Sequence, residues 1–259
     1  MEQIPVVQIP TQSHSSLDTF MTCPRMYKAK YITREVQFKP SLESRWGDHA
    51  HHHLELYVGS KGACQIPEQI NPKTGENMRD YQWVGDAILT RAEQKNAQVL
   101  VERKFGIGHD RAPNNYFDKG GYLRGKIDVT LIYDNVVETL DYKTGKRKND
   151  PDQLVMYSAS ALVEYPQVEI ARAAYIWLKE PPTKAIDAPL SFTKPDLPGM
   201  FSIFDTKYHA LRHAYEKNQF PPKKSGLCGW CDVVACEFQY VSEKKAKSMA
   251  LDAQYAETQ

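Results

Sequence analysis

The sequence predicts an α/β fold, a mixed central sheet flanked by helices. Three observations carry this. Residues 97–107 (AQVLVERKFGI), 121–146 and 168–178 (VEIARAAYIWL) are rich in Val, Ile, Leu, Thr and Tyr, which is strand composition. A helical pattern over 152–163 separates the second of these from the third. Further helical patterns occupy both ends of the chain.

The elements follow in order. The first ten residues read as an extended arm. Ser15 or Ser16 caps a short helix that carries Leu17, Phe20 and Met21 on one face. Cys23-Pro24 restarts a helix, with Pro24 at its first position and Tyr27 and Tyr31 on one face. Residues 42–58 (LESRWGDHAHHHLELYV) form a helix that ends near Gly59. A second long helix covers 81–96, with Val84, Ile88, Leu89 and Ala92 inward. After the strand 97–107 and a polar loop comes a hairpin, GYLRGKIDVTLIYDNVVETLDYKTGK. Its turn is Asp134-Asn135, because Asp and Asn tolerate the positive φ of tight hairpin turns. Asp150 caps the next helix and Gln153 completes a capping box. A proline-rich connector, 181–198, leads to a helix over 199–217. The reading is one domain, 1–240, and a charged C-terminal tail, 241–259.

The chain has 259 residues, 41% hydrophobic and 25% charged, with a formal net charge of +1. That composition is ordinary for a soluble globular protein. No global field advertises nucleic acid, so any such binding uses local basic patches. The start, MEQIPVVQIPTQ, does not read as a signal peptide, and no apolar run reaches the roughly 18 residues of a membrane span. No G-x-x-x-x-G-K-[ST] loop is present, so an ATP motor is not expected.

The hairpin carries the chemistry. With Tyr133 facing Val136, Asp128 faces Asp141 and Lys126 faces Lys143. Alternation then puts these four on one face, and Gly125, Ile127, Val129, Leu140 and Tyr142 on the other. Opposed carboxylates repel. A shared proton or a hard divalent cation offsets that. A solvated hairpin face is the plain alternative. Lys143 shifts the balance, since carboxylates, metal and lysine together make a phosphate-hydrolysis set.

Four of five cysteines form a second pattern: Cys228-x2-Cys231-x4-Cys236, with Cys23 near the other end of the chain. Four thiolates suit zinc or an iron–sulfur cluster, and spacing alone does not choose between them. Scattered thiols and disulfides are the alternatives. Joining Cys23 to the C-terminal trio would staple the chain ends. The run His49-Ala50-His51-His52-His53 places at least one histidine within reach of a metal at Asp128 and Asp141, and Gly47 allows another backbone to approach. Gln153 and Tyr157 share a helix face. Glu102 is open between metal ligand and ion-pair partner. Lys143, Lys146, Arg147 and Lys148 make a basic cluster, which Arg103, Lys104, Arg124 and Lys126 extend; a solvated turn is the alternative.

Taken in order, "CPRMY", "GDHAHHHLE", "GKID", "DYKTG", "QLVMY" and "CGWCDVVAC" resemble the RecB/AddB-type branch of the PD-(D/E)XK nucleases, which includes the CRISPR-associated RecB-like exonucleases. The resemblance runs from about Ser13 to Cys236. It implies a restriction-endonuclease-like fold whose N- and C-terminal segments are joined by a four-cysteine metal cluster. It puts the histidine ligand on His51, metal-binding aspartates on Asp128 and Asp141, and the catalytic lysine on Lys143. Gln153 and Tyr157 match its Q-x-x-x-Y motif. Cys23, Cys228, Cys231 and Cys236 match the ligands of its [4Fe-4S] cluster, with zinc as the alternative occupant. The implied activity is a Mg2+- or Mn2+-dependent DNA exonuclease in recombination, repair or processing, with the Tyr142 carbonyl joining the metal ligands. Lys146, Arg147, Lys148 and Arg124 are the expected DNA contacts. The expected substrate is a single strand or strand end. A protein partner in a processing complex is compatible, and a membrane is not expected. The setting would be the cytoplasm of a bacterial, archaeal or phage-infected cell. The rival is a clamp that keeps the fold and binds DNA without cutting it. A zinc-stapled scaffold without DNA would fit the cysteines but leave the hairpin unexplained.

Overall fold

Among the described residues, six strands form one sheet in the order β2-β1-β3-β4-β5-β6. They are β1 (Gln98–Ile107), β2 (Pro113–Asn114), β3 (Leu123–Tyr133), β4 (Val136–Lys143), β5 (Ile170–Trp177) and β6 (Leu190–Thr193). β4 and β5 run parallel and every other pair is antiparallel. The parallel pair needs a crossover, and the helix α5 (Asp152–Glu164) supplies it. This is a computed structural model, and it describes residues 8–37, 40–148 and 150–256. The first seven residues of the expected N-terminal arm lie outside the described residues.

Helices cover both faces. On one lie α1 (His14–Thr22), α2 (Pro24–Tyr27), α5 and α7 (Leu197–Lys217). Their side chains share a core with Phe105, Ile127, Val137, Tyr175 and Trp177 of the sheet. On the other lie α3 (Leu42–Gly59) and α4 (Gln82–Lys95), packed on Val129, Leu131, Leu140, Tyr142 and Ile176. The short helix α6 (Pro182–Ala185) and the terminal helix α8 (Glu243–Ala256) complete the chain. No helix among the described residues is long and apolar enough to cross a membrane.

Several local expectations change. Ser13, not Ser15 or Ser16, caps α1 in a reciprocal pair with Ser16, and Met21 is 39% exposed rather than inward. Asp150 does not cap α5, which begins without a side-chain cap. The Asp150 side chain pairs with Lys148, and its carbonyl accepts from the Tyr175 hydroxyl. The proline-rich connector contains β6 and α6. Arg103 belongs to no basic surface. It is buried and bonds Thr130, Ser160 and Glu164.

The hairpin turns where expected, with Asp134 at φ 48°. Its register is also the expected one, but the β3–β4 ladder stops at Val129↔Leu140. Strict alternation fails at the next residue. Ile127 packs in the α5 core while Val129 packs in the α3 core. Across the sheet Glu102 takes a left-handed φ of 52°, and the β1–β3 pairing skips from Val101↔Val129 to Arg103↔Ile127. A non-glycine residue holds that conformation only where its surroundings impose it. Both strands therefore change faces at Glu102 and Asp128.

Gly125 lies directly across from Phe105. A Cβ there would sit 2.6 Å from the Phe105 ring. Gly125→Ala is therefore expected to cost about 1–3 kcal/mol of folding stability through overpacking, read as a lower denaturation midpoint. An unchanged midpoint would show that the ring can move aside.

Candidate active site

The broken alternation builds the site. Beyond Val129↔Leu140 the strands part, and Asp128 Oδ2 takes the hydrogen bond that a β3 carbonyl would otherwise accept, from the Tyr142 N–H at 2.7 Å. The Lys143 carbonyl accepts from Leu178, on the β5 side. Amide and carbonyl of one strand residue leave on the same side, so Tyr142 presents both toward Asp128.

From α3, His51 Nδ1 lies 3.0 Å from Asp128 Oδ1. One ligand atom from each of His51, Glu102 and Asp128 fall within 4.8 Å of one another, the only such group among the described residues. The left-handed backbone at Glu102 thus turns its carboxylate toward this cluster. The neighbouring histidines turn elsewhere: His49 to Gln69, His52 to Glu55, and His53 against His52. Gly47 makes room for a side chain rather than a backbone, since a Cβ would sit 3.0 Å from Thr144 Oγ1.

Asp141, on β4, is 4% exposed. Its Oδ2 lies 2.6 Å from Lys143 Nζ, and its Oδ1 accepts from the Tyr157 hydroxyl at 3.0 Å. Gln153 ties these together. Its Nε2 donates to Tyr157 at 2.6 Å and to Asp141 at 3.4 Å, while its Oε1 accepts from Lys143 at 2.9 Å. The glutamine expected to close a capping box instead turns into this site. Lys126 does not face Lys143; it pairs with Glu102.

Electrostatics follow the burial. Removal from water, then the nearby Asp128 charge, holds the Asp141 carboxyl up at about 6. Burial pulls the His51 imidazole down, but the bond to Asp128 and that carboxylate's charge outweigh it and leave it raised. The Tyr157 hydroxyl, buried beside Asp141, is pushed well above its ordinary value and remains a donor. The protein thus gathers three carboxylates and one histidine with two lysines, Lys126 and Lys143, beside them, and the oxygen-rich donors suit a hard divalent cation. An open cavity of about 690 Å³ contains them.

The expected DNA contacts divide. Lys146 is exposed. Arg147 is paired with Asp187 and lies over Trp177, while Lys148 is paired with Asp150. Arg124 lies across β3, beside Tyr116.

Cys23, Cys228, Cys231 and Cys236 line one cavity of about 250 Å³. No three of their sulfurs lie mutually within 4.8 Å, so the thiols are not drawn into a tight cluster. Backbone N–H groups of Lys223, Ser225 and Val233 donate to Cys23, Cys228 and Cys231 at 3.4, 3.4 and 3.5 Å. Cys64 is exposed and stands apart.

The family model of the PD-(D/E)XK nuclease superfamily matches residues 11–236, and the chain belongs to that superfamily. No curated protein matches it. Among 19 matching solved chains is a protein from Eubacterium rectale described as a "putative exonuclease". It is 13% identical with a TM-score of 0.50, and the match covers 90% of this chain and 91% of that one. At that identity the likeness speaks to the fold. Another, SSO0001, is 14% identical with a TM-score of 0.37, covering 90% of this chain and 88% of that one.

Proposed function

We propose that this chain is a Mg2+- or Mn2+-dependent deoxyribonuclease, an exonuclease of the RecB/AddB-like branch that works on DNA ends in recombination, repair or processing. The observation that carries the reading is the buried Asp141, bonded to Lys143 and set against the His51–Glu102–Asp128 group. Buried, mutually repelling carboxylates are a liability in a structural element and an asset around a cation.

His51, Glu102 and Asp128 would hold the ion, with Asp141 and the Tyr142 carbonyl completing its surroundings. When bound, the ion lowers the pKa of a water and polarises the phosphate to be cut. Lys143, fixed by Asp141 and Gln153, orients that water or meets the charge that grows on the phosphoryl oxygens. Tyr157 and Gln153 hold Asp141 in place. His51 would hold the ion in its neutral form, with the ring positioned by the contact of its Nδ1 with Asp128. Lys146, Arg147, Lys148 and Arg124 are assigned to backbone contacts with DNA.

The four thiols would hold a [4Fe-4S] cluster, with zinc as the alternative. Sulfurs on one zinc sit roughly 3.8 Å apart, from bonds of about 2.3 Å. No three of these sulfurs come within 4.8 Å of one another, which leaves room for the larger body, and the N–H···S bonds suit thiolate ligands. Its role is structural, holding Cys23 of the N-terminal segment to the C-terminal loop.

The test is digestion of end-labelled single- and double-stranded DNA with Mg2+ or Mn2+, against EDTA and against Lys143→Ala. Metal-dependent release from one end by the wild type alone supports an exonuclease and gives its polarity. Binding without cleavage by fully metallated protein would replace the enzyme by a clamp.

A further inference from the structure

Lys104 and Lys126 are direct partners across the β1–β3 ladder. Like charges so placed cost stability. Lys126 turns to Glu102 in the metal-binding group. Lys104 has no carboxylate partner among the described residues. Its Nζ lies 5.7 Å from the Tyr116 ring centre and 5.4 Å from that of Phe117. Arg124, two residues from Lys126 along β3, shares its face, and its guanidinium carbon lies 5.5 Å from the Tyr116 ring centre. A row of three cations thus leads from the carboxylates along the sheet to two aromatic rings.

The rings stand edge to face at 5.1 Å, and Phe117 is 69% exposed. No core needs it there. The loop beneath is nevertheless braced. Asn114 donates to Asp118 at 2.6 Å, and the amides of Phe117 and Gly120 donate to Asn115 and Asp118 at 2.8 and 2.9 Å. A large apolar ring held out in water on a fixed loop is set to receive a flat partner. Cations followed by aromatic faces suit phosphates followed by unstacked bases. A duplex hides its base faces, whereas a single strand offers them.

We propose that Tyr116 and Phe117, with Lys104 and Arg124, form a base-stacking platform that holds the single-stranded part of the substrate beside the cleavage site. The position of the cut rests on the nuclease reading above; the binding does not.

The test measures fluorescence anisotropy in EDTA with a labelled oligothymidylate and an abasic strand of equal length. The wild type should bind the base-bearing strand more tightly. Tyr116→Ala and Phe117→Ala should each weaken that binding between about 5- and 150-fold, the usual range for one stacked base, and erase the difference between strands. Phe117→Trp should restore it. Equal affinity of the wild type for both strands, or alanine variants that bind like wild type, would overturn the platform. Hydrolysis of bis(p-nitrophenyl) phosphate by the wild type, a diester without bases, reports the catalytic centre separately. Base-dependent binding without that hydrolysis would uphold the platform and sink the nuclease.

Discussion

Asp141→Asn is expected to abolish DNA cleavage while leaving the metal-free protein at least as heat-stable as the wild type above pH 7. The two effects have one cause. Asp141 is buried beside Asp128, and its carboxyl is held at about 6 against an ordinary 3.8. A group whose folded value is raised contributes stability while it keeps its proton. That contribution is complete below about pH 4 and is lost as pH rises through about 6. Above that the metal-free protein carries a cost of about 3 kcal/mol, which remains even with Lys143 paired to the carboxylate. Asparagine keeps the shape and cannot ionise. In EDTA, the melting temperature of the variant should match the wild type's near pH 4 and equal or exceed it at pH 8. Label release should fall about a thousandfold or more, the scale of the several kcal/mol a bound cation supplies. A variant that cuts DNA would remove Asp141 from the chemistry. One that melts far below wild type at pH 8 would make the carboxylate a structural ion-pair partner.

Cys231→Ala should have the largest effect on folding. Cys23 sits at the junction of α1 and α2. Just inside that junction, Phe20 and Tyr27 pack against Phe220, and Tyr27 also against Tyr215. Under the proposed cluster, losing one ligand frees the C-terminal loop from this junction. Structural metals supply on the order of 10 kcal/mol to small folds, so a fall in melting temperature of more than about 10 °C is expected. Bound iron and its visible absorption should be lost with it. Cys64→Ala, at an exposed loop position, should change neither. Wild-type melting by Cys231→Ala would leave the four thiols without a structural role.

Much of the fold was legible because local rules agree with the global ones. The turn at Asp134, the hairpin register and the helices over 42–59 and 82–95 all follow from periodicity and turn chemistry. β6 was hidden because LSFT, a short edge strand, lies within a proline-rich stretch. The Gln153 cap failed because Lys143, Asp141 and Tyr157 offer the glutamine better partners than its own helix end. The face change at Glu102 and Asp128 was out of reach for a different reason. Alternation is the assumption from which strand faces are read, and the site lies where the chain departs from it. Only the oddity of a mid-strand acid at Glu102 hinted at this. His51 was singled out among its neighbours by motif resemblance, and its selection in space depends on α3 packing that no spacing encodes.

The end of the β3–β4 ladder has a mechanical meaning. The two strands behave as the arms of a pair of calipers, with Val129 and Leu140, 0% and 4% exposed, at the pivot. Asp128 and Asp141 are the tips. Under the proposed function, the gap that a cation would fill is gauged by hydrophobic packing at the pivot, in groups remote from the ion. Which ion such a site would accept, and how rigidly, would then be written into the oil of the protein as much as into its acids.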